Sequence, residues 1–196
     1  MTLGELIPPE DPQGAGFFAR HQGRLVFVGY RPRREQGGII CGRVGGWRKA
    51  GESWLECMRR ETREEICCDV DVVTAQQAYF AEPATEARPI DLEDEPRPFL
   101  VSLQHLTGRG TGLYYNVIFL ASVIGEPRMG PQIELLVFLT DANLLSLAEQ
   151  PLPISALMQA GANIEWTTPL PTDTMVTLGR SLILLAQLMK SGIKVP

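Results

Sequence analysis

Glu61, Glu64 and Glu65 lie in the short stretch Arg60-Glu61-Thr62-Arg63-Glu64-Glu65, downstream of Gly45-Gly46-Trp47-Arg48-Lys49-Ala50-Gly51-Glu52. On a helix turning about 100° per residue, these three carboxylates share an arc of roughly 100°, bordered by Arg60. Arg59 and Arg63 point away from that arc. Like charges at i,i+3 and i,i+4 each cost a few tenths of a kcal/mol, and the C-terminal end of a helix disfavours anions. A hard divalent cation held by carboxylate oxygens offsets both costs. The glycine pair upstream permits a tight turn that brings backbone groups close to a metal and to phosphates. Taken one by one, the glutamates also fit a solvated, charge-laced helix face.

The elements that must position these residues follow from periodicity. With Leu55 at the centre of the buried face, Met58, Thr62 and Ile66 fall within roughly 60° of it, which makes a narrow core stripe. The helix is expected to open near Gly51-Glu52 and close around Cys67. Residues 24–30, 39–44, 70–80, 99–106, 113–124 and 133–139 read as strands. Residues 1–20 read as an N-terminal arm, because proline and glycine interrupt any pattern there. Residues 82–98 hold four prolines and six acidic residues and read as an acidic, proline-rich loop or mobile insertion. Residues 141–196 read as a helical C-terminal part, with Asp141 as an N-cap and one long helix over 175–191 stopped by Gly192. Residues 107–112 carry repeated glycines but join two strands, so a hairpin turn is expected and not a phosphate loop. Strands, one helix, more strands and then helices imply a mixed sheet flanked by helices, of class α/β or α+β.

The 196 residues suit one domain. A net charge of −5 argues against a DNA-binding or anionic-membrane surface, which needs a basic excess. The apolar run at 181–189 is too short to span a bilayer. The first residues have neither a basic n-region nor an apolar h-region, and Cys41, Cys57, Cys67 and Cys68 show no paired C-x-x-C spacing. Reduced thiols and a cytoplasmic location are expected. His21 and His105 stand apart and suggest no zinc site.

The spacing Gly46-x5-Glu52-x7-Arg60-Glu61-x2-Glu64-Glu65 resembles the Nudix box of the Nudix hydrolases, in order and without gaps. The resemblance covers residues 46–68 and implies an α/β/α sandwich with a mixed β-sheet and a catalytic loop-helix. It also implies Mg²⁺ or Mn²⁺, and hydrolysis of a pyrophosphate bond in a nucleotide. Carried over by position, Glu61, Glu64 and Glu65 would be metal ligands, with a backbone contact from Gly46. Glu61 and Glu64 would carry the catalysis, one acting as or through a general base, and Arg60 would orient a glutamate. Glu52 occupies a further box carboxylate position. The chain departs from the pattern at Val44 (commonly Pro), at Thr62 (commonly aliphatic) and at Cys67 (commonly Gly).

Family members often add a carboxylate from a later strand or loop, for which Glu134 is the first candidate and Glu126 the second. Pro83, fifteen positions after Cys68, resembles a proline of the ADP-ribose and nucleotide-sugar pyrophosphatases, and Glu82 or Glu86 would then approach the metal. That favours a nucleoside-diphosphate-linked substrate. The alternatives are a catalytically weak nucleotide-binding or regulatory module, and a pyrophosphohydrolase of nucleoside triphosphates or RNA 5′ ends. Arg31, Arg33, Arg34 and Arg48, with Lys49, suit phosphate contacts, although a solvated basic turn accounts for them too. Trp54, Phe80, Tyr114 and Tyr115 are candidates for stacking a base or for the core. The expected partner is a small nucleotide, with no DNA and no membrane; the resemblance allows a homodimer.

Overall fold

The computed structural model describes residues 1–31, 38–105 and 112–195. A short helix α1 (Leu3–Leu6) leads into β1 (Gln13–His21), which turns through Gln22-Gly23 into β2 (Arg24–Tyr30). Then come β3 (Gly38–Gly42), β4 (Val44–Trp47), the helix α2 (Trp54–Ile66) and β5 (Asp69–Val73). They are followed by β6 (Ala78–Ala81), β7 (Arg88–Ile90), β8 (Leu100–His105) and the long β9 (Leu113–Ile124). The C-terminal third holds β10 (Leu135–Leu139), α3 (Asp141–Glu149), β11 (Leu152–Pro153), α4 (Ile154–Gln159), β12 (Asn163–Trp166), β13 (Met175–Leu178) and α5 (Arg180–Lys190).

The strands form a mixed sheet centred on β1 and β9, which run parallel in register from Gln13↔Tyr115 to Arg20↔Ser122. On its other edge β1 pairs antiparallel with β4, from Gly14↔Trp47 to Phe17↔Val44, and near its end with β2. Strand β9 carries β8 along its first half and β5 along its second. Side-chain alternation divides the core between the two faces. Phe18, Leu25 and Phe27 join the side covered by α3, α4 and α5; Phe17, Ala19, Val26 and Val28 join the side covered by α2. This is an α/β/α arrangement around a mixed sheet.

Helix α2 begins where its backbone donors find a cap. Ser53 Oγ accepts from Glu56 N at 3.2 Å, while Glu56 Oε2 accepts from Ser53 N at 2.8 Å. Its buried stripe is Cys57, Met58, Thr62 and Ile66, with Leu55 only half-buried. Thr62 is accommodated in the core because its hydroxyl donates to the Met58 carbonyl at 2.7 Å. The helix ends in a left-handed residue even without glycine, since Cys67 itself takes φ 52° and ψ 30°. Two of its last carbonyls accept from the connection between β9 and β10: Arg128 N donates to Ile66 O at 2.9 Å and Gly130 N to Glu65 O at 2.7 Å. Gly130 is pressed against the helix so closely that a Cβ there would lie 2.8 Å from the Glu65 carbonyl oxygen and nearer still to that of Glu64.

Four expectations need correction. Residues 13–20 are not part of an arm but lie in a central strand. Gly14 and Gly16, read as breakers, are where the β4 backbone comes too close for a Cβ. Residues 70–80 divide into two strands, because β5 pairs with β9 whereas β6 pairs with β8. Residues 175–178 form a strand parallel to β3, and the C-terminal helix starts only at Arg180, after Gly179. The acidic segment 82–98 is tied down. Leu92 is buried, Asp94 Oδ2 accepts from Leu3 N at 2.8 Å, and Glu93 pairs with the N-terminal amine at 3.1 Å. Its acidic residues therefore anchor the chain's first turn. The hairpin expected at 107–112 and the basic residues Arg33 and Arg34 lie mostly or wholly outside the described residues. All four cysteines are free thiols, with Cys67 alone exposed. Among the described residues no helix is long and apolar enough to cross a membrane.

Because Cys67 is an L-residue in the left-handed region, Cys67→Gly should raise stability by roughly 0.5–1 kcal/mol in urea unfolding. Gly130→Ala should lower it by about 1–3 kcal/mol in the same measurement, because backbone must give way to the new methyl group.

Candidate active site

The close pairing of β1 with β4 delivers Gly45 and Gly46 to the flank of α2. Glu65 Oε2 accepts from Gly45 N at 2.7 Å. The Glu61 carboxylate lies over Gly46, where a Cβ would sit 2.5 Å from either of its oxygens. Any larger residue at position 46 would displace Glu61. The Gly46 carbonyl faces the Cys57 thiol at 3.7 Å.

Arg60 lies among the carboxylates. Its Nε and Nη2 donate to the two oxygens of Glu52 at 2.8 and 3.0 Å, a bidentate pair. Nη1 donates to Glu61 at 2.6 Å and to Glu64 at 3.2 Å, and Nη2 also reaches the Trp47 carbonyl at 3.0 Å. The hydrogen bonds from Arg60 hold Glu52 down to about 2, helped by the Lys49 N–H. The same contacts, led by Glu52, push the guanidinium pKa up. Glu65 goes the other way. Burial pushes it up to about 7; Glu61 and Glu64 add to the rise, while the Gly45 N–H and Arg43 oppose it.

Arg60 thus orients three of the expected carboxylates. Gln132 Nε2 approaches Glu64 at 3.4 Å, a neighbour the sequence did not suggest. Among the described residues, no three His, Cys, Asp or Glu side chains already converge as a metal cage. Glu61 and Glu64 are turned toward Arg60, whose guanidinium supplies the local positive charge. The donor set still fits a divalent cation. Its donors are carboxylate oxygens, as hard cations require, and the absence of a side chain at Gly46 lets the Glu61 carboxylate lie directly against the backbone.

Other expected site residues are engaged elsewhere. Glu134 pairs with Arg31, Oε2 to Nε at 3.0 Å, and also accepts from the Arg31 N–H. Each thereby occupies the other, and no described hydrogen bond or ion pair joins Glu134 to the α2 carboxylates. Glu126 lies 3.2 Å from His21 Nε2. Arg48 donates to the Glu52 carbonyl and to Gln13 Oε1 and stacks 4.9 Å from the Trp54 ring centroid, so its role is to brace the loop. Phe80 is buried beneath Arg88. Of the expected stacking residues, Tyr114 lines the cleft beside Gly45-Gly46, with Trp47 at 4.9 Å between ring centroids.

That cleft, of about 210 Å³, was not foreseen from sequence. Arg43, Gln104, Asn116, Arg180 and Ser181 line it together with the two glycines, Tyr30, Trp47 and Tyr114. Its residues come from β1, β2, β3, β4, β8, β9 and α5, so no local spacing could have gathered them.

No protein-family model and no curated protein matches this sequence. Solved structures do. A possible asymmetric diadenosine tetraphosphate hydrolase from Jonesia denitrificans superposes with a TM-score of 0.56 at 12% identity, over 96% of this chain and 98% of that one. A NUDIX-family hydrolase from Clostridium perfringens gives 0.51 at 11% identity, over 94% and 99%. With the loop-helix in place between sheet and cleft, the fold of this chain is that of the Nudix hydrolases.

Proposed function

We propose that this protein is a divalent-metal-dependent pyrophosphohydrolase of nucleoside-diphosphate-linked substrates. The observation that carries this reading is the placement of Glu61 over Gly46 and Glu65 on the Gly45 N–H, with Glu64 beside them on the same helix. When bound, Mg²⁺ or Mn²⁺ would neutralise the phosphates and lower the pKa of an attacking water.

Glu61, Glu64 and Glu65 are the groups to hold it, and the Gly46 carbonyl is the adjacent backbone oxygen. Arg60 sets the angles of Glu61 and Glu64 while anchored on Glu52, which fixes the register of the cluster. Release of Glu61 and Glu64 from Arg60 is the local rearrangement that frees oxygens for a cation. One of the glutamates would serve as general base for the water. Four free thiols fit a reducing, cytoplasmic setting.

A nucleotide sugar or ADP-ribose is favoured by Pro83. The turn containing it reaches the cleft, since Arg180 donates to the Thr85 carbonyl and Thr85 N donates back to the Glu82 carbonyl. The description of the Jonesia denitrificans structure adds dinucleoside polyphosphates to the substrates worth testing. Nucleotide binding without cleavage would instead identify a regulatory module.

With Mg²⁺ or Mn²⁺, a panel of ADP-ribose, nucleotide sugars, diadenosine tetraphosphate and nucleoside triphosphates should give metal-dependent release of a nucleotide product, read by chromatography. Glu64→Gln or Glu65→Gln should lower kcat by roughly 10²–10⁴-fold with the fold retained. Absence of turnover across the panel with either metal would contradict the assignment.

A further inference from the structure

We propose that Arg43, with Ser181 and Arg180, forms a phosphate-binding subsite that works independently of the metal carboxylates. It deepens the pyrophosphohydrolase reading, on which its role in catalysis rests, by adding a second point of phosphate recognition on this chain's own residues.

Arg43 sits between β3 and β4 with its side chain under the β1–β4 seam. Three glycines make its slot. A Cβ on Gly16 would lie 2.7 Å from Arg43 Nη1, one on Gly14 would lie 3.2 Å from Nη2, and one on Gly45 would meet Nη1 still closer. The sequence has therefore removed side chains at three places around a single guanidinium. Burial lowers the Arg43 pKa, against the pull of Glu65 and Glu61. Yet no ion pair to Arg43 exists among the described residues, and its one described hydrogen bond runs from Nε to Asn116 Oδ1 at 2.8 Å. Arg43 lines the cleft, and its two Nη groups have no described protein acceptor. A half-buried guanidinium with unpaired N–H donors at the wall of a cleft is a ready partner for an anion.

The network behind Arg43 leads to Ser181, which also lines the cleft. Asn116, 2% exposed, spends its oxygen on Arg43 and donates from Nδ2 to Ser181 Oγ at 2.9 Å. Gln104 Nε2 also donates to Ser181 Oγ, at 3.2 Å, while Gln104 Oε1 accepts from the Tyr114 hydroxyl at 2.9 Å. Ser181 thus has both lone pairs engaged, and its O–H proton is left to donate outward. Arg180, next to it in the first turn of α5, also lines the cleft and has no described carboxylate partner. Among the described residues, two arginines and no carboxylate line the cleft, which favours an anion, and guanidinium nitrogens suit phosphate oxygens. The volume of about 210 Å³ falls below the roughly 300 Å³ at which pockets take whole drug-sized ligands. It suits one phosphoryl group and the edge of a neighbouring ring, for which the Trp47–Tyr114 pair is adjacent.

The test is calorimetric binding of inorganic pyrophosphate and of ADP in excess EDTA. Wild-type protein should bind both, and Glu64→Gln, which removes a repelling charge, should bind them no more weakly. Arg43→Gln should weaken binding roughly tenfold or more, the loss expected for hydrogen bonds to a charged group. Should Arg43→Gln not fold, Asn116→Asp decides the matter: it keeps Arg43 in place but offers it a competing carboxylate, and should cause a similar loss. Absence of binding in EDTA, or binding insensitive to the variant that folds, would overturn the subsite. Loss in Glu64→Gln alone would also overturn it. Turnover with Mg²⁺ is measured separately, so an inactive protein that still binds pyrophosphate through Arg43 would refute the hydrolase reading and leave the subsite standing.

Discussion

The constraint on which the rest of this structure depends is the close approach of the β1 and β4 backbones. Gly14 pairs with Trp47 and Gly16 with Gly45 at a separation that leaves no room for a Cβ at either β1 glycine. Because the seam is this tight, the loop after β4 is carried down beside α2, and the Gly45 N–H meets the Glu65 carboxylate. The same tightness forces Arg43, the residue between β3 and β4, to pass beneath the seam. One packing decision therefore sets both the carboxylate cluster and the cationic cleft. The conformational freedom that four glycines lose on folding is the cost of that arrangement, and it is offset by the core layers above and below the sheet.

The second determinant is how α2 ends. A helix with acidic residues in its last turns is disfavoured by its own dipole, and its final carbonyls need donors. The carbonyls find their donors outside the helix and the carboxylates find their cation within it. Arg128 and Gly130 supply backbone N–H groups to Ile66 and Glu65, and Arg60 bridges Glu61 and Glu64. The segment that caps the helix also presents Gln132 to Glu64. Helix termination and site geometry are thus one structure, which explains how Cys67 can take a left-handed conformation where a glycine would be easier.

The carboxylate face was legible in the sequence because it is periodic over a few turns. Three glutamates, a core stripe and a preceding glycine pair are local features, and the helix that bears them differs from expectation mainly at its start, where Ser53 and Glu56 form a cap. What was not legible depends on distant partners. Arg43 has Asn116 seventy-three residues away, and Asn116 has Ser181 sixty-five residues further. Nothing at position 43 marks it as anything but a strand arginine. Strand β1 was misread for a related reason. Its glycines weaken strand propensity locally, and only the presence of β4 and Arg43 explains them. Glu134 and Arg31 were both reasonable ligands by type, but the register of β2 with β10 brings them together, and each satisfies the other.

Charge is sorted in this site by distance as well as by sign. Arg60 is committed to five acceptor oxygens on four residues, so its guanidinium is held in one orientation. Arg43, across the glycine pair, has a described acceptor at Nε alone and lines the cleft. A pyrophosphate-bearing molecule needs opposite things at its two ends: a cation-binding cluster at the bond to be broken, and direct donors for anionic oxygens elsewhere. The Gly45-Gly46 stretch of β4 separates these environments by little more than the thickness of one backbone. The acidic cluster would repel phosphate without a cation between them, whereas the donor-lined cleft attracts it directly. Binding and chemistry can therefore be carried by different residues, and substitutions on the two sides of the loop act through different physics.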